Sequence, residues 1–420
     1  MLNLYPSSAK LNYKQSNKEG FTVFKNGERL QTPEDPFTSE NALWDKFVAP
    51  VYRVPGMVIT DTGRIIVSAD YRSTPSDQVA ILPAVAYSDD NGRTWKRKII
   101  ETNPTHFNSY YRIMDSTMFY YKGVVHIISG KWNGTTNNVN WTQTPNDNTW
   151  SVNHYYSKDN GETWTLQQNF QQTLNPAITA GRSWLGGVGN AIITKYGTCL
   201  VPIQQTPSRG TVEAGFIYSN DGVHWGYAHG LYKSGVSENS LTYWVDSSGR
   251  AEITMVGRRD PNTPQNKWAG YFYQTGPTTF STSITDFPTY NTKIPARGGN
   301  GCQGSAIQPT TKDGALTPRS NMLVSYANNF FNNYNAYIRD HIVIAMFSRD
   351  NVGNSFPLKE IEQINLSPGS FVDAIPFGGY SMLNYNANCN KLGIAYEDNL
   401  SIKYKDLSHL IPIWLYKGVA

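Results

Sequence analysis

The sequence predicts an all-β fold, a six-bladed β-propeller of four-stranded antiparallel sheets. Three observations predict it: a composition that favours strands, a turn motif that recurs along the chain, and the interval at which it recurs.

Aromatic residues make up 13% of the 420 residues and charged residues only 16%, with Tyr, Thr, Asn and Gly plentiful. That mixture favours strands and turns over helices. No long amphipathic helix is evident, and ENALWDKF (40–47) reads as a short one at most.

The recurring motif is a turn. Ser88–Trp95 reads SDDNGRTW and Ser157–Trp164 reads SKDNGETW. Ser219–Trp225, SNDGVHW, is one residue shorter; Ser348–Phe356, SRDNVGNSF, is one residue longer and ends in Phe. All are forms of S-x-D-x-G-x-T-W, the Asp-box, and each follows a strand-like run (AVAY, NHYY, GFIY, IVIAMF). Asp and Gly suit a tight turn, Gly because it accepts φ > 0. The Ser and Asp side chains can satisfy turn backbone groups, and the aromatic can fold back between sheets. The motif therefore speaks to architecture and not to chemistry.

The boxes start at 88, 157, 219 and 348, so the intervals are 69, 62 and 129 residues. The last interval is about twice the others, which places a unit without a box near TGPTTFS (275–281). A period of about 65 residues gives about six units, each long enough for a four-stranded sheet, and radial repetition of such sheets is a propeller. Strand runs with Gly turns fill the intervals: GMVITDTGRIIVSAD, STMFYYKGVVHIISG and NAIITKYGTCLVPIQ. Residues 1–35 are expected to pack on the propeller as an extension, with FTVFKNGERL (21–30) as a hairpin completing the last blade, and residues 36–420 to form the propeller itself.

Net charge is +4 without a basic block, which gives nucleic-acid binding little support. The three cysteines form no CxxC and the seven His show no metal-ligand spacing, so neither a disulfide framework nor a metal is expected. No apolar run is long enough to suggest membrane insertion, and MLNLYPSSAKLNYKQSNKEG shows no apolar signal core.

Asp-boxes together with Tyr52-Arg53-Val54-Pro55 resemble the sialidase superfamily, over roughly residues 48–400. The resemblance implies that Arg53, in the family's F/Y-R-I-P motif, is the first of three arginines gripping a substrate carboxylate. Guanidinium forks suit that task because they stay charged and pair with carboxylate oxygens two at a time. ADYR (69–72) followed by Ser76-Asp77 resembles the next family segment and implies Arg72 in sugar binding and Asp77 as acid/base, with Asp70 the other acid nearby. Asp115, in YRIMD (111–115), is by the same resemblance a sugar-binding residue; a turn or capping role is the alternative.

SENSL (237–241) is similar to the family segment that carries the base, implying Glu238. Arg258-Arg259 follow, and because neighbours on a strand face opposite ways only one should enter the pocket. Arg258 is preferred as the second triad arginine. GCQGS (301–305) matches a family segment starting a strand at the pocket floor, and Arg339 occupies the place of the third arginine. GYSML (379–383) implies Tyr380 as nucleophile, and LGIAYE (392–397) implies Glu397 orienting Arg53.

The function implied is a retaining exo-α-sialidase acting on sialylated glycans through a tyrosyl-enzyme intermediate, with no cofactor, as a monomer, and secreted or at the cell surface; a cytoplasmic location is the alternative. A trans-sialidase, a hydrolase of a related nonulosonic acid and a non-catalytic glycan-binding propeller are the competing functions.

Overall fold

The computed structural model describes residues 20–30, 47–101, 111–132, 150–167, 170, 174, 183–207, 210–228, 230–245, 249–259, 267–287, 302–308, 322–327, 342–347, 358–364, 371–372, 375–376 and 379–416. The expected fold class holds: small antiparallel sheets are arranged as a propeller. Blade I comprises Val51–Ile59, Ile65–Arg72, Ile81–Ser88 and Lys96–Ile99; blade II comprises Arg112–Tyr121, Val124–Trp132, Trp150–Ser157 and Thr165–Leu166. Blade III is built on Ser183–Gly186, Cys199–Thr206, Glu213–Ser219 and Gly226–Tyr227, and blade IV on Val236–Val245, Ala251–Arg259, Trp268–Gly276 and Thr279–Phe280. Blade V contains Ala306–Ile307, Met322–Ala327, Ile342–Phe347 and Leu358–Ile364. Blade VI contains Ser381–Asn386, Lys391–Asp398 and Ser401–Asp406 and is completed by Phe21–Phe24. By hydrogen bonding the six blades form five sheets, because one parallel pair, Ile81 with Arg112, joins blades I and II. A two-stranded ribbon, Phe371–Val372 with Ile375–Pro376, precedes blade VI.

The turns follow the sequence. Lys122 and Gly123 both take positive φ (50° and 79°), the two-residue hairpin geometry that matches strand twist. FTVFKNGERL departs from expectation: it supplies one strand rather than a hairpin, paired with Ser401–Asp406. Ser401–Asp406 would otherwise present an unpaired edge, and this long-range pairing removes it.

The first strands of the blades touch one another around the axis, and apolar clusters fill the faces between successive blades. The Asp-boxes fix those faces. In the first box the Ser88 hydroxyl donates to Asp90 Oδ1 (2.8 Å) and accepts from Gly92 N (2.8 Å), while Thr94 N donates to Asp90 Oδ1 (2.9 Å). The second box repeats these bonds with Ser157, Asp159, Gly161 and Thr163. In the short third box His224 stands in for Thr, its backbone and ring nitrogens both bonded to Asp221. Trp95 Nε1 and Trp164 Nε1 each donate back to the box glycine carbonyl.

The described boxes lean on the preceding blade. Trp95 packs edge-on against Tyr404 of blade VI at 5.9 Å, and Trp225 of blade III against Phe119 of blade II at 5.7 Å. The unit without a box is found where the spacing put it: Gly276 and Thr279 close a tight hairpin, and Phe280 packs on Phe216 of blade III at 5.3 Å, as the box aromatics do. The fourth box and residues 40–46 of ENALWDKF lie outside the described residues.

Gly92 has φ +86°, and a Cβ there would lie 2.5 Å from Tyr404 Cδ1. Gly92→Ala should therefore cost about 1–3 kcal/mol in urea unfolding, from both the left-handed backbone and the clash with blade VI.

Between blades II and III the buried His126 and His154 rings share a hydrogen bond of 2.9 Å and abut Trp225. Burial holds both neutral: His126 is pushed down to about 3, with His154 adding to the effect, and His154 to about 4, against the hydrogen bond it donates to Gln167. The unfolded chain takes up protons at these rings below about pH 6.5 and the folded chain does not, so their contribution to stability is present above that pH and lost as pH falls towards 4. His126→Gln should lose less melting temperature than the wild type between pH 6.5 and 4.5; equal losses would argue against a buried neutral pair.

Candidate active site

The site forms where the axial strands of the blades begin, and strand irregularities aim its side chains. The ladder of Val51–Ile59 slips between Arg53 and Gly56, that of Arg112–Tyr121 between Met114 and Thr117, and that of Val236–Val245 between Val236 and Asn239. Val54, Asp115 and Val188 take φ of 55°, 54° and 52°, a region costly for ordinary side chains and more so for a β-branched one. Such bulges re-aim side chains near sheet rims. Close packing of the strands demands glycine at Gly189, where a Cβ would strike the Asn239 carbonyl of blade IV.

The first group of residues centres on Tyr380. Its hydroxyl donates a short hydrogen bond to Glu238 Oε1. Arg258 Nη1 donates to the same hydroxyl at 2.8 Å and to Glu238 Oε2 at 3.0 Å. Tyr380 and Glu238 are buried, and Arg258 nearly so. Arg258 is thus the member of the Arg258-Arg259 pair that reaches the pocket residues, while Arg259 lies opposite Val236 in the ladder. Cys302, Val54, Val188 and Ala327 pack with Tyr380 beneath the site. Gln303 clamps this floor, donating to the Val188 carbonyl and accepting from Ser381 N at 3.0 Å.

Glu397 joins this group to the next. Its Oε1 accepts from Val54 N at 2.9 Å and lies 3.4 Å from Arg53 Nε; its Oε2 accepts from Tyr380 N at 3.4 Å. The Arg53 guanidinium lies 5.6 Å from the Tyr380 ring centre. Glu397 is therefore paired with Arg53, as the resemblance implied, and holds the bulge of blade I against blade VI.

The third group is ionic. Arg72 is buried at the end of its strand, with Nη2 donating to Asp70 Oδ2 at 2.6 Å and Nη1 to Asp77 Oδ1 and the Ser76 carbonyl. Arg53 Nη1 is 3.6 Å from the same Asp77 oxygen. Burial raises Asp70 to about 6 against the pull of Arg72 and Arg53. At Asp77 the partial desolvation of a carboxyl held against two guanidiniums opposes ionisation, but the charges of Arg72 and Arg53 outweigh it and hold the carboxyl down at about 2, although the side chain itself is largely exposed. Asp115 is pushed well above the usual carboxylate range by burial and then by the negative charges of Asp70 and Glu238. The site thus holds carboxyls driven in opposite directions, a pattern common at functional sites.

Arg53, Arg72, Asp77, Asp115, Glu238, Arg258, Tyr380 and Glu397 all belong to this one region by direct contact or electrostatic interaction; Arg339 lies outside the described residues. Two residues without an assigned part take part in it. Asp70 pairs with Arg72, and the signal was present in the sequence: residues two apart on a strand share a face. Buried Arg112 donates from Nε to the Val79 carbonyl at 3.1 Å, anchoring the end of the loop that carries Asp77. Among the described residues no group of three or more His, Cys, Asp or Glu could hold a metal ion, and no helix is long and apolar enough to cross a membrane.

The two partners of Arg72 differ in burial, since Asp70 is fully enclosed and the Asp77 side chain is 66% exposed. Arg72→Met should lower stability by about 3 kcal/mol or more, because it leaves Asp70 enclosed without a counter-charge. Asp77→Ala should stay within about 1 kcal/mol of the wild type. Thermal and urea unfolding of the two variants measure the contrast.

Residues 54–255 match a BNR repeat-like domain. A sialidase of Clostridium perfringens is 31% identical over 385 residues, covering 89% of this chain and 92% of that protein. A sialidase of Paraclostridium sordellii is 31% identical over 398 residues, covering 90% of each. Among solved structures, the Hadza microbial sialidase Hz136 matches with a TM-score of 0.64 at 20% identity, over 86% of this chain and 66% of that one, a likeness of fold. The clostridial matches run nearly end to end at 31% identity, and the chain belongs to the sialidase family.

Proposed function

We propose that the chain is a retaining exo-α-sialidase, which cleaves terminal sialic acid from glycans through a tyrosyl-enzyme intermediate. The observation that carries this reading is the Tyr380–Glu238–Arg258 constellation: a buried phenol bonded to a buried carboxylate, with a guanidinium donating to the same oxygen. A carboxylate is what deprotonates a phenol as it attacks, and a cation beside the oxygen stabilises the negative charge that develops there.

Sialic acid explains why a tyrosine should serve. Its carboxylate sits on the anomeric carbon, so a carboxylate nucleophile would approach against like charge, and sialidases are the known exception to two-carboxylate glycoside hydrolysis. Arg53 and Arg258 flank Tyr380 and are assigned to the substrate carboxylate, with Arg339 as the third partner. Arg72 and Asp115 are assigned to the sugar ring.

In the first step the Tyr380 oxygen bonds to the anomeric carbon and its proton passes to Glu238. The glycosidic carbon–oxygen bond breaks, and Asp77 gives a proton to the leaving oxygen. In the second step water gives a proton to Asp77 and its oxygen bonds to the anomeric carbon. The Tyr380 oxygen leaves and recovers its proton from Glu238. Two displacements give net retention.

Asp77 must be protonated to act first as an acid, yet Arg72 and Arg53 hold it ionised in the unliganded site. A substrate carboxylate that takes Arg53 for itself weakens one of those two attractions, and a sugar over the loop excludes water from the carboxyl. Both changes raise its proton affinity when a leaving group is present.

Tyr380→Phe should abolish nearly all hydrolysis of an aryl sialoside, and Glu238→Gln and Asp77→Ala should each lower kcat by about a hundredfold or more with the fold intact. Proton NMR of the wild-type reaction should show α-sialic acid released first; the β-anomer first would overturn the two-displacement mechanism.

A further inference from the structure

At the far end of the axial strands lies a second cavity, of about 490 Å³. It is separated from the catalytic pocket by the length of those strands: from Arg53 to Ile59 is six residues, roughly 20 Å at the usual rise. A buried hydroxyl cluster lies on the way, Ser305 with Ser325 at 2.9 Å and Ser381 with Ser325 at 2.8 Å. Every blade contributes to the cavity wall, for example through Ile59, Tyr120, Asn190, Tyr243, Gln308 and Asn384.

Its chemistry differs from that of the catalytic pocket. Among the described residues no arginine lines it, and the charged groups of that lining, Asp61 and Lys195, balance. Asp61 accepts from Asn386 Nδ2 at 3.0 Å and Asn388 Nδ2 at 2.8 Å, which fixes an amide-rich rim between blades I and VI. Lys195 donates to the Gly249 carbonyl. Two lining residues hold polar atoms that are enclosed and without a hydrogen-bond partner: both amide atoms of Gln308, and the hydroxyl of Thr194, a residue only 4% exposed. Leaving such groups unsatisfied costs free energy that a polar ligand recovers on binding. Tyr120, Tyr243 and Tyr385 add ring surface to the same wall. A cavity of this size whose described lining offers side-chain amides, hydroxyls, ring faces and balanced charge suits a small uncharged polyhydroxylated molecule.

We propose that this cavity is a second binding site, for a neutral mono- or disaccharide, independent of the catalytic pocket. It does not rest on the hydrolytic mechanism, since binding is measured directly.

The test uses the full chain with its catalytic pocket saturated by a 2,3-unsaturated sialic acid inhibitor. Lactose and N-acetylglucosamine are the probes, followed by saturation-transfer NMR and calorimetric titration. Saturable binding of at least one sugar is expected, weakened fivefold or more in Gln308→Leu. That variant should keep its melting temperature, because it removes an unsatisfied amide, and should hydrolyse an aryl sialoside at the wild-type rate. Absence of saturable binding by both sugars would overturn the proposal. So would unchanged affinity in Gln308→Leu, or binding that appears only when the inhibitor is withdrawn, which would place the sugar in the catalytic pocket.

Discussion

The seam between blades I and VI is the constraint on which the rest depends. A propeller is a ring, and its blades hold a common axis only if the ends of the chain are joined. Phe21–Phe24 supplies the outer strand of blade VI, and Tyr52 N donates to the Leu400 carbonyl at 2.9 Å. Ile59 N donates to Asn384 Oδ1, and Asn386 Nδ2 to the Ile59 carbonyl, each at 2.9 Å. At the site end of the same seam, Glu397 reaches Val54, Arg53 and Tyr380 together. One buried carboxylate therefore couples the closure of the ring to the relative position of the proposed nucleophile and a proposed carboxylate-binding arginine. Loosening the seam would move both.

Function also imposes strain on the ring. Val54, Asp115 and Val188 lie at corresponding positions near the axis and all take left-handed backbone conformations. Such positions persist only where surrounding bonds over-determine them. Those bonds are present here: Val54 N is held by Glu397, and Val188 by Thr117 Oγ1 on one side and Gln303 on the other. The interblade clusters and box turns lie away from this axis and need no such strain. Stability is thus supplied at the blade faces, and irregularity is concentrated where side chains converge.

This division explains what the sequence made legible. The boxes were readable because a turn built on Ser, Asp, Gly and an aromatic has one local solution, and even the missing box could be placed by interval, with Phe280 doing the packing that tryptophan does elsewhere. The meeting of Arg53 with Glu397, and of Tyr380 with Glu238 and Arg258, was legible through motif order along a repeated frame. Strand alternation said that only one of Arg258 and Arg259 enters the pocket, and the contacts of Arg258 with Tyr380 and Glu238 match the preference for Arg258 that the resemblance gave. The bulges were not legible, because a valine at positive φ is dictated by distant partners and leaves no local signature. That FTVFKNGERL completes the last blade was expected, but its entry as a single strand on Ser401–Asp406, almost four hundred residues away, was not, since its Gly turn reads locally as a hairpin.

The Asp70–Arg72–Asp77 chain draws these strands of argument together. Arg72 is fixed by the enclosed Asp70, which makes it a rigid fork at the end of its strand, while Asp77 approaches from an exposed polar loop anchored through Arg112. A rigid cation with one enclosed and one exposed anionic partner can exchange the exposed one without disturbing the scaffold. An anionic substrate entering beside Arg53 competes for the charges that Asp77 holds in the empty site, so substrate binding and the proton affinity of Asp77 are linked by electrostatics alone. The enclosed half of the chain belongs to the blade and the exposed half to the proposed reaction, and Arg72 is where the two meet.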